Sequence, residues 1–376
     1  MDKEKLEKLS RPLRKLYLSI EDEILLNIAR KIARDNDLLV DIEENGDIQR
    51  IESWQMQRLN DLESLTLDNI RTIAKYADKT VEVISDTLSK AGYQAVDDIE
   101  GILREGAKRG ILMAPTSSNA RNSESLLNIL RTMVNRAEND FNLINTTLLD
   151  QSRVVYLDII NRTTANVLTG NMTPQQALRR VSSEWAQKGV PALIDRAGRQ
   201  WSTEAYVGMV TRTMSNNIAN EMQDERMAEY GVDLVEISSH DGARPLCAPY
   251  QGRIFSLSGN HPDYPPLSST SIGEPAGLFG VNCGHVKYPY IPGLTKRSFK
   301  PVSQRRNEKI YEESQKQRYL ERRIREAKRE KAFMEALNDE EGVKIAQRKI
   351  SDRQANMRSF INQTNRTRRY NREQIG

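Results

Sequence analysis

The chain of 376 residues is long enough for two or three domains of ordinary size. Only 38% of the residues are hydrophobic and 6% are aromatic, whereas 29% are charged, which argues against one large apolar core. Two cysteines exclude a disulfide framework, and neither an N-terminal signal region nor an apolar run long enough for a membrane span occurs. We therefore expect an elongated, mainly α protein with much solvated or partner-covered surface and no membrane requirement.

The N-terminal half predicts helices, because apolar residues recur there every three or four positions. The first series runs through residues 13–32, and a second block covers roughly residues 52–91, with Gly92 as its predicted end. The predicted buried stripe of the second block consists of Leu59, Leu62, Ile70, Ile73, Val81, Ile84 and Leu88. Polar residues 115–123 predict a domain boundary. We expect an N-terminal helical region over residues 1–114.

A central helical region is predicted over residues 124–231. Residues 124–169 indicate one long helix or two stacked ones. The next helix should begin at a capping box, with Thr173 as the N-cap, a proline at the first helical position and Gln176 reaching back. A further helix is expected over about residues 203–229, closed by a glycine.

The sequence changes character at residue 232, where a small loop-rich α+β module is predicted over residues 232–295. Residues 232–239 are β-like, and residues 252–256 are the predicted partner strand. Between residues 256 and 293 the chain is rich in Gly, Pro, Ser and Tyr, with short apolar pieces only. This composition favours loops over helices.

The last region, residues 296–376, is predicted to be a basic helical tail built on a long charged C-terminal helix. It holds 23 Lys and Arg against 12 Asp and Glu, a balance of +11, whereas the rest of the chain has 33 basic and 40 acidic residues, a balance of −7. A basic tail on an acidic body favours a polyanionic or acidic partner. Up to residue 337, arginines flank a narrow apolar seam, and two interpretations stand equally: a docking helix that faces phosphate, or a solvated helix with intrahelical ion pairs.

From Arg348 onward acidic residues almost vanish, and contact with a polyanion such as DNA becomes the better interpretation. The predicted DNA or partner contacts are Arg348, Lys349, Arg353, Arg358, Arg366, Arg368, Arg369 and Arg372.

All three histidines and both cysteines lie between residues 240 and 285. His240, Cys247, Cys283 and His285 have the number and type of ligands that a structural zinc ion takes, and a metal would stabilise a segment with little core. The spacing is not that of a standard finger, since no Cys-x-x-Cys occurs. In the alternative interpretation these residues cap strands, hydrogen-bond the loop and pack as small hydrophobes. His261 is predicted to be a surface residue.

A cysteine nucleophile beside a histidine, with Arg244 holding an anion, is the catalytic alternative for the same residues. Residues 241–285 contain only three acids, too few and too spread for a two-metal nuclease site. The chain has no Ser-centred elbow, phosphate-binding Gly loop or His-Glu-x-x-His helix. We therefore predict that the protein is not an enzyme and has no catalytic residues.

Two strings in the module stand out. Residues 238–256 read Ser-Ser-His-Asp-Gly-Ala-Arg-Pro-Leu-Cys-Ala-Pro-Tyr-Gln-Gly-Arg-Ile-Phe-Ser. Residues 277–285 read Gly-Leu-Phe-Gly-Val-Asn-Cys-Gly-His, and residues 288–294 add Tyr-Pro-Tyr-Ile-Pro-Gly-Leu. They resemble the hallmark of tailed-bacteriophage minor capsid proteins, a branch related to the Mu F-like head-morphogenesis proteins. That pattern has Arg or a similar side chain before the last His, where Gly284 stands here. The departure weakens an anion-binding role for that position and leaves the Cys and His positions intact.

The resemblance implies a structural protein present in a few copies per virion, inside the head near the portal vertex, and in the host cytoplasm during assembly. Its implied roles are head morphogenesis, DNA packaging or DNA delivery. Its implied partners are the portal protein, major capsid or scaffold proteins and, through the basic tail, packaged genomic DNA, with no small-molecule substrate.

Two other functions remain open. One is a metal- or Cys-dependent hydrolase of the packaging or lysis machinery, which would turn over DNA or peptidoglycan. The other is a free, non-specific DNA-binding protein, for which the tail alone should bind DNA tightly. Against the second, the acidic body would repel DNA.

Overall fold

Helices dominate the computed structural model, which describes residues 3–34 and 37–375. In chain order the helices are α1 (Lys3–Ala33), α2 (Asp37–Asn45), α3 (Arg50–Asn60), α4 (Leu62–Lys108), α5 (Glu124–Leu168), α6 (Pro174–Lys188), α7 (Thr203–Glu229), α8 (Gln304–Ala336) and α9 (Glu340–Thr364). The strands are β1 (Pro191–Ile194), β2 (Gln200–Ser202), β3 (Leu234–Ile237), β4 (Ile254–Ser256) and β5 (Lys287–Pro289). The predicted fold class, mainly α with a small loop-rich β module, is confirmed. Within the described residues, no helix is both long enough and apolar enough to cross a membrane.

The described chain forms two compact units, each assembled from three separated segments. Unit 1 contains Met1–Arg14, Thr80–Asp140 and Gly208–Gln315, and unit 2 contains Lys15–Lys79, Phe141–Val207 and Lys316–Gly376. The boundaries of the four contiguous regions expected from the sequence lie where residue composition and apolar periodicity change, and these regions remain a prediction about domain organisation. The compact units follow a different division.

The three-stranded antiparallel sheet of unit 1 has β3 at its centre, between β4 and β5. The predicted pairing of the β-like segment with its partner strand is confirmed, since Val235 lies opposite Phe255 of β4. On the other side Val235 lies opposite Pro289 of β5. All four residues of β3 are buried. A buried cluster joins this strand to α4 and α7 and consists of Ile99, Leu103, Met227, Tyr230, Val232 and Val235.

Helix α4 corrects the prediction that Gly92 ends the second helical block. The helix continues through Gly92 to Lys108. A Cβ atom on this residue would lie 2.1 Å from the Sδ atom of Met222 and 3.3 Å from the Cγ1 atom of Ile218, both on α7. A larger residue at this position would force the Met222 side chain to move, so this glycine marks the close approach of two helices and not the end of one of them.

In unit 2 the predicted capping box at the start of α6 is confirmed. The hydroxyl of Thr173 accepts a hydrogen bond from the backbone N–H of Gln176 at 3.4 Å, and the Gln176 side chain accepts one from the backbone N–H of Thr173 at 3.4 Å. The antiparallel hairpin of β1 and β2 follows. The sequence analysis missed this hairpin, because strands of three and four residues are too short for an alternating pattern.

The tail is two helices rather than one long helix. Asn338 adopts a left-handed conformation with φ 59°, which Asn tolerates better than most residues. Asp339 then caps α9, since its side chain accepts a hydrogen bond from the backbone N–H of Gly342 at 3.0 Å. The two helices pack through a cluster of Leu320, Ile324 and Met357.

Candidate functional site

The predicted Cys and His site is built on two loops of unit 1. One loop follows β3 and the other precedes β5, so the pairing of these strands brings the loops together. The backbone N–H of Ser238 donates to the carbonyl of Val286 at 3.0 Å, and the N–H of Val286 donates to the Ser238 hydroxyl at 2.9 Å. Together the loops carry His240, Cys247, Cys283 and His285.

Arg244 joins the two loops. Its guanidinium donates to the carbonyl of Val281 at 2.5 Å and to that of Gly277 at 3.0 Å. It also lies 3.8 Å from the Sγ atom of Cys247. A Cβ atom at Gly277 would lie 1.9 Å from the carbonyl oxygen of Ser271, so the loop requires glycine there. The hydrogen bonds of Arg244 go to backbone carbonyls and a thiol, so in this structure the residue holds the loops together.

Three of the four predicted ligands converge. The Sγ atoms of Cys247 and Cys283 are 4.0 Å apart, so the two cysteines are not bonded to each other. The Sγ atom of Cys283 lies 3.4 Å from the Nδ1 atom of His285. One ligand atom from each of these three residues falls within 4.8 Å of the others, and all three side chains are buried. The ring of His240 stacks on the ring of His285 instead, with 4.3 Å between their centroids.

The two thiols are electrostatically unequal. The hydrogen bond from Cys247, followed by contacts with His285, lowers the pKa of Cys283, although burial opposes the shift. The same hydrogen bond and burial raise the pKa of Cys247. Of the two sulfurs, the environment therefore favours the thiolate form at Cys283.

The remaining charged and imidazole side chains of the module stay outside the cluster. Asp241 pairs with Arg306 at 2.9 Å. The Nδ1 atom of His261 accepts a hydrogen bond from the backbone N–H of Asp263, and this histidine is half-buried rather than fully at the surface. In the part of the chain that the structure describes, the His, Cys, Asp and Glu side chains close enough to share a metal ion include no carboxylate. The buried cluster is therefore one of sulfur and nitrogen.

The basic residues predicted to contact DNA divide into two groups. The first group contacts protein atoms of unit 2: Lys349 with Glu330, Arg353 with Gln187, Arg366 with Gln317, Arg368 with Glu373, and Arg369 and Arg372 with Glu321. The second group, Arg348 and Arg358, is exposed on α9. DNA contact by either group stays a prediction.

Lys344 completes the exposed basic face of α9, and the sequence analysis missed it. At 100° per residue, Lys344, Arg348 and Arg358 project within an arc of about 80°. Buried Ala346, Ile350 and Met357 occupy the opposite side of the helix. The i, i+4 spacing of Lys344 and Arg348 was the signal that could have identified this face.

Two arginines of α8, Arg325 and Arg329, fit neither interpretation drawn from the sequence. Arg325 donates to the carboxylate of Glu204 at 2.9 Å, and Arg329 lies 3.1 Å from that of Glu21. Both arginine side chains are at least nine-tenths buried, so they face neither solvent nor phosphate. Carboxylates distant in sequence are their partners.

These features define a mainly helical protein with a buried Cys/His cluster in a small sheet module and a basic face on its last helix. The chain belongs to the phage minor capsid protein 2 family, which it matches over residues 1–362. It is similar to a structural protein of Lactococcus phage LL-H, with 28% identity over 330 residues that cover 85% of this chain and 88% of that protein. A structural protein of Lactococcus phage mv4 is 32% identical over 116 residues, covering 31% of this chain and 94% of that protein. No solved structure matches the chain. The resemblance to phage minor capsid proteins is confirmed.

Proposed function

We propose that this minor capsid protein acts near the portal vertex of the phage head, in head assembly, DNA packaging or DNA delivery. The observation that carries the proposal is the family match over residues 1–362. The similar proteins of two phages are also named structural proteins. The proposed partners are the portal protein and major capsid or scaffold proteins. The protein acts in the host cytoplasm during assembly and inside the head afterwards.

The protein content of purified virions tests this role. The particles should contain the protein in a few copies, measured by quantitative mass spectrometry against the major capsid protein. Cross-linking of intact virions should join it to the portal protein. Absence of the protein from purified virions would contradict the structural role. Presence with cross-links to the major capsid protein alone would contradict the portal location.

We propose that the protein has no catalytic activity of its own. The support is the burial of Cys247, Cys283 and His285, since a nucleophile must reach its substrate. Nuclease and peptidoglycan hydrolase assays on the full chain are expected to give no turnover. Turnover that is lost in both Cys283→Ser and His285→Gln, with the fold retained by circular dichroism, would establish the hydrolase alternative.

We also propose that the exposed face of α9 contacts packaged DNA. Three basic side chains on this face can release condensed counterions, which predicts a log–log salt slope of about −2.7 on duplex DNA. Engagement of all eight basic residues predicted from the sequence would give about −7. Sequence preference should be absent, because phosphate contacts carry no base information.

The DNA test uses the full chain, because α8 and α9 supply buried residues of unit 2. Glutamine replacements at Lys344, Arg348 and Arg358 should abolish most DNA affinity at low salt. A control variant removes the same charge from exposed positions elsewhere: Arg71→Gln, Lys90→Gln and Arg109→Gln. Equal losses in the two variants would mean that only net charge matters. Tight binding at physiological salt with a slope near −7 would favour the free DNA-binding alternative.

A further inference from the structure

We propose that Cys247, Cys283 and His285 bind one zinc-type divalent metal ion, with a fourth position that no His, Cys, Asp or Glu side chain of the described chain fills. This differs from the closed four-ligand site expected from the sequence, because His240 is assigned a stacking role. The inference does not depend on the proposed place of the protein in the virion.

The distances between the three ligand atoms fit one ion. With Zn–S bonds of about 2.3 Å and a Zn–N bond of about 2.05 Å, tetrahedral angles place two sulfurs about 3.8 Å apart and a sulfur and a nitrogen about 3.6 Å apart. The corresponding distances are 4.0 Å between the sulfurs of Cys247 and Cys283, and 3.4 Å between Cys283 and His285. Two edges of one face of a coordination tetrahedron are therefore already close to their expected lengths, and the third pair of ligand atoms, from Cys247 and His285, lies within 4.8 Å.

The surroundings favour thiolate sulfur, the form that binds a metal. The backbone N–H of His285 donates to the Sγ atom of Cys283 at 3.4 Å. The guanidinium of Arg244 lies 3.8 Å from the Sγ atom of Cys247. Ion binding would displace the Cys247 proton, so that two thiolates and a neutral imidazole balance the double positive charge. A buried site without net charge avoids most of the cost of burying an ion.

The position of the cluster gives the ion a structural role. Between β4 and β5, the regular structure of residues 257–286 is the short 3-10 turn Leu267–Ser269. The two cysteines belong to the small buried cluster of this module, together with Ile237, Phe255, Leu267 and Leu278. So few apolar side chains give a long loop little stability of its own, and a metal bridge from its C-terminal end to Cys247, in the loop after β3, would add to it.

His240 tests the ligand set, because its ring contacts the cluster without joining it. It stacks on His285, and its Nδ1 atom lies 3.2 Å from the carbonyl of Asp241. A phenylalanine keeps the stacking but cannot coordinate a metal. The variant His240→Phe should therefore retain the ion, whereas His285→Gln should lose it.

The experiment measures metal in the full-length protein, purified under reducing conditions without chelator. Mass spectrometry of the digested protein should find about one zinc per chain. Cobalt added to chelator-treated protein should give thiolate-to-metal charge-transfer absorption and the intense visible bands of a tetrahedral site. Cys247→Ser, Cys283→Ser and His285→Gln should each lose most of the bound metal. His240→Phe and the matched control His261→Gln should keep it.

Several outcomes would overturn the proposal. A folded wild-type protein that takes up neither zinc nor cobalt excludes the site. A Cys247–Cys283 disulfide in protein alkylated directly from cells would mean that the cysteines serve as a redox pair. Loss of metal in His240→Phe would restore the four-ligand set and refute the open position. If a ligand variant fails to fold, the cobalt spectrum of the wild-type protein still tests the proposal.

Discussion

Replacement of Arg226 by Met should be among the most damaging single changes in unit 1. The guanidinium is fully buried and donates to both carboxylate oxygens of Glu100, at 2.8 and 2.6 Å. It also pairs with Glu229, donates to the carbonyl of Ser117 at 3.1 Å and lies 4.9 Å from the ring centre of Tyr230. Methionine keeps an unbranched apolar stem in place of the aliphatic part of arginine but removes every one of these donors.

The expected loss is about 3 kcal/mol. Breaking a buried ion pair from one side costs about 3–5 kcal/mol, because the remaining charge is left buried. Glu100 would retain two hydrogen bonds, one from Arg104 at 2.9 Å and one from the hydroxyl of Tyr230 at 3.1 Å. These partners place the loss at the lower end of the range. In the double variant Arg226→Met with Glu100→Leu, part of the stability should return, since both partners are then apolar.

Arg104→Met is the matched control, because it removes a second arginine from the same carboxylate. The Arg104 side chain is 59% exposed, so solvent screens this ion pair and its loss should cost far less than the loss of Arg226. The three tryptophans, Trp54, Trp185 and Trp201, all belong to unit 2, so their fluorescence does not report on unit 1. Hydrogen exchange of amides in α4 and α7 is the suitable measurement. Arg226→Met should accelerate this amide exchange about 100-fold at the positions where exchange requires unit 1 to open. A change no larger than that of Arg104→Met would refute the reasoning.

Two further predictions concern single positions. Burial raises the pKa of Glu21 above its usual value of 4.5, although the ion pair with Arg329 opposes the shift. Between the unfolded and the folded pKa values the folded state holds a proton that the unfolded chain has released, so unit 2 should lose stability as the pH rises from about 4.5 towards neutrality. Glu21→Gln should flatten that dependence in urea unfolding followed by tryptophan fluorescence, and an unchanged pH profile would contradict the assignment. Gly92→Ala should destabilise by about 1–3 kcal/mol through its clash with Met222. Gly101→Ala, in open space on the same helix, should stabilise by about 1 kcal/mol, and equal thermal shifts would refute the close-approach argument.

Sequence patterns of a few residues predicted the helices and strands whose positions depend on interactions between residues close in sequence. The capping box of Thr173 and Gln176 gave the start of α6, because both hydrogen bonds connect residues three apart. The helix expected over residues 203–229 is α7, which runs from Thr203 to Glu229. The β-like segment gave β3, since a run of apolar and β-branched residues suits a fully buried strand.

Tertiary contacts decided what the sequence pattern could not. Ile70 and Val81 belong to the stripe predicted to be buried on α4, yet they are 43% and 49% exposed. The buried face of that helix in unit 2 instead includes Asn69, which accepts a hydrogen bond from Asn27 and donates one to Ser152. The two partners of Asn69 lie 42 and 83 positions away in the sequence, so no local pattern marks Asn69 as buried.

The candidate site was predictable in its chemistry and less so in its geometry. Residue type alone identified Cys247, Cys283 and His285, because thiolates and imidazoles are the ligands that zinc prefers. Their convergence depends on the pairing of β3 with β5. The stacking of His240 on His285 depends on loop conformation, for which the sequence carries no periodic signal.

The charge of the tail shows most clearly why a count of basic residues does not describe an exposed basic surface. A balance of +11 counts every arginine equally, but Arg329 pairs with Glu21, which is 308 positions away. Arg369 likewise pairs with Glu321, and Lys349 with Glu330, and all three of these carboxylates are at most 3% exposed at the side chain. Pulling the tail away to offer these bases to DNA would leave the acids buried without partners, at about 3–5 kcal/mol for each broken pair. Phosphate contact through the exposed face of α9 would break none of these pairs, which is why we propose that face, rather than the whole tail, as the surface that contacts DNA.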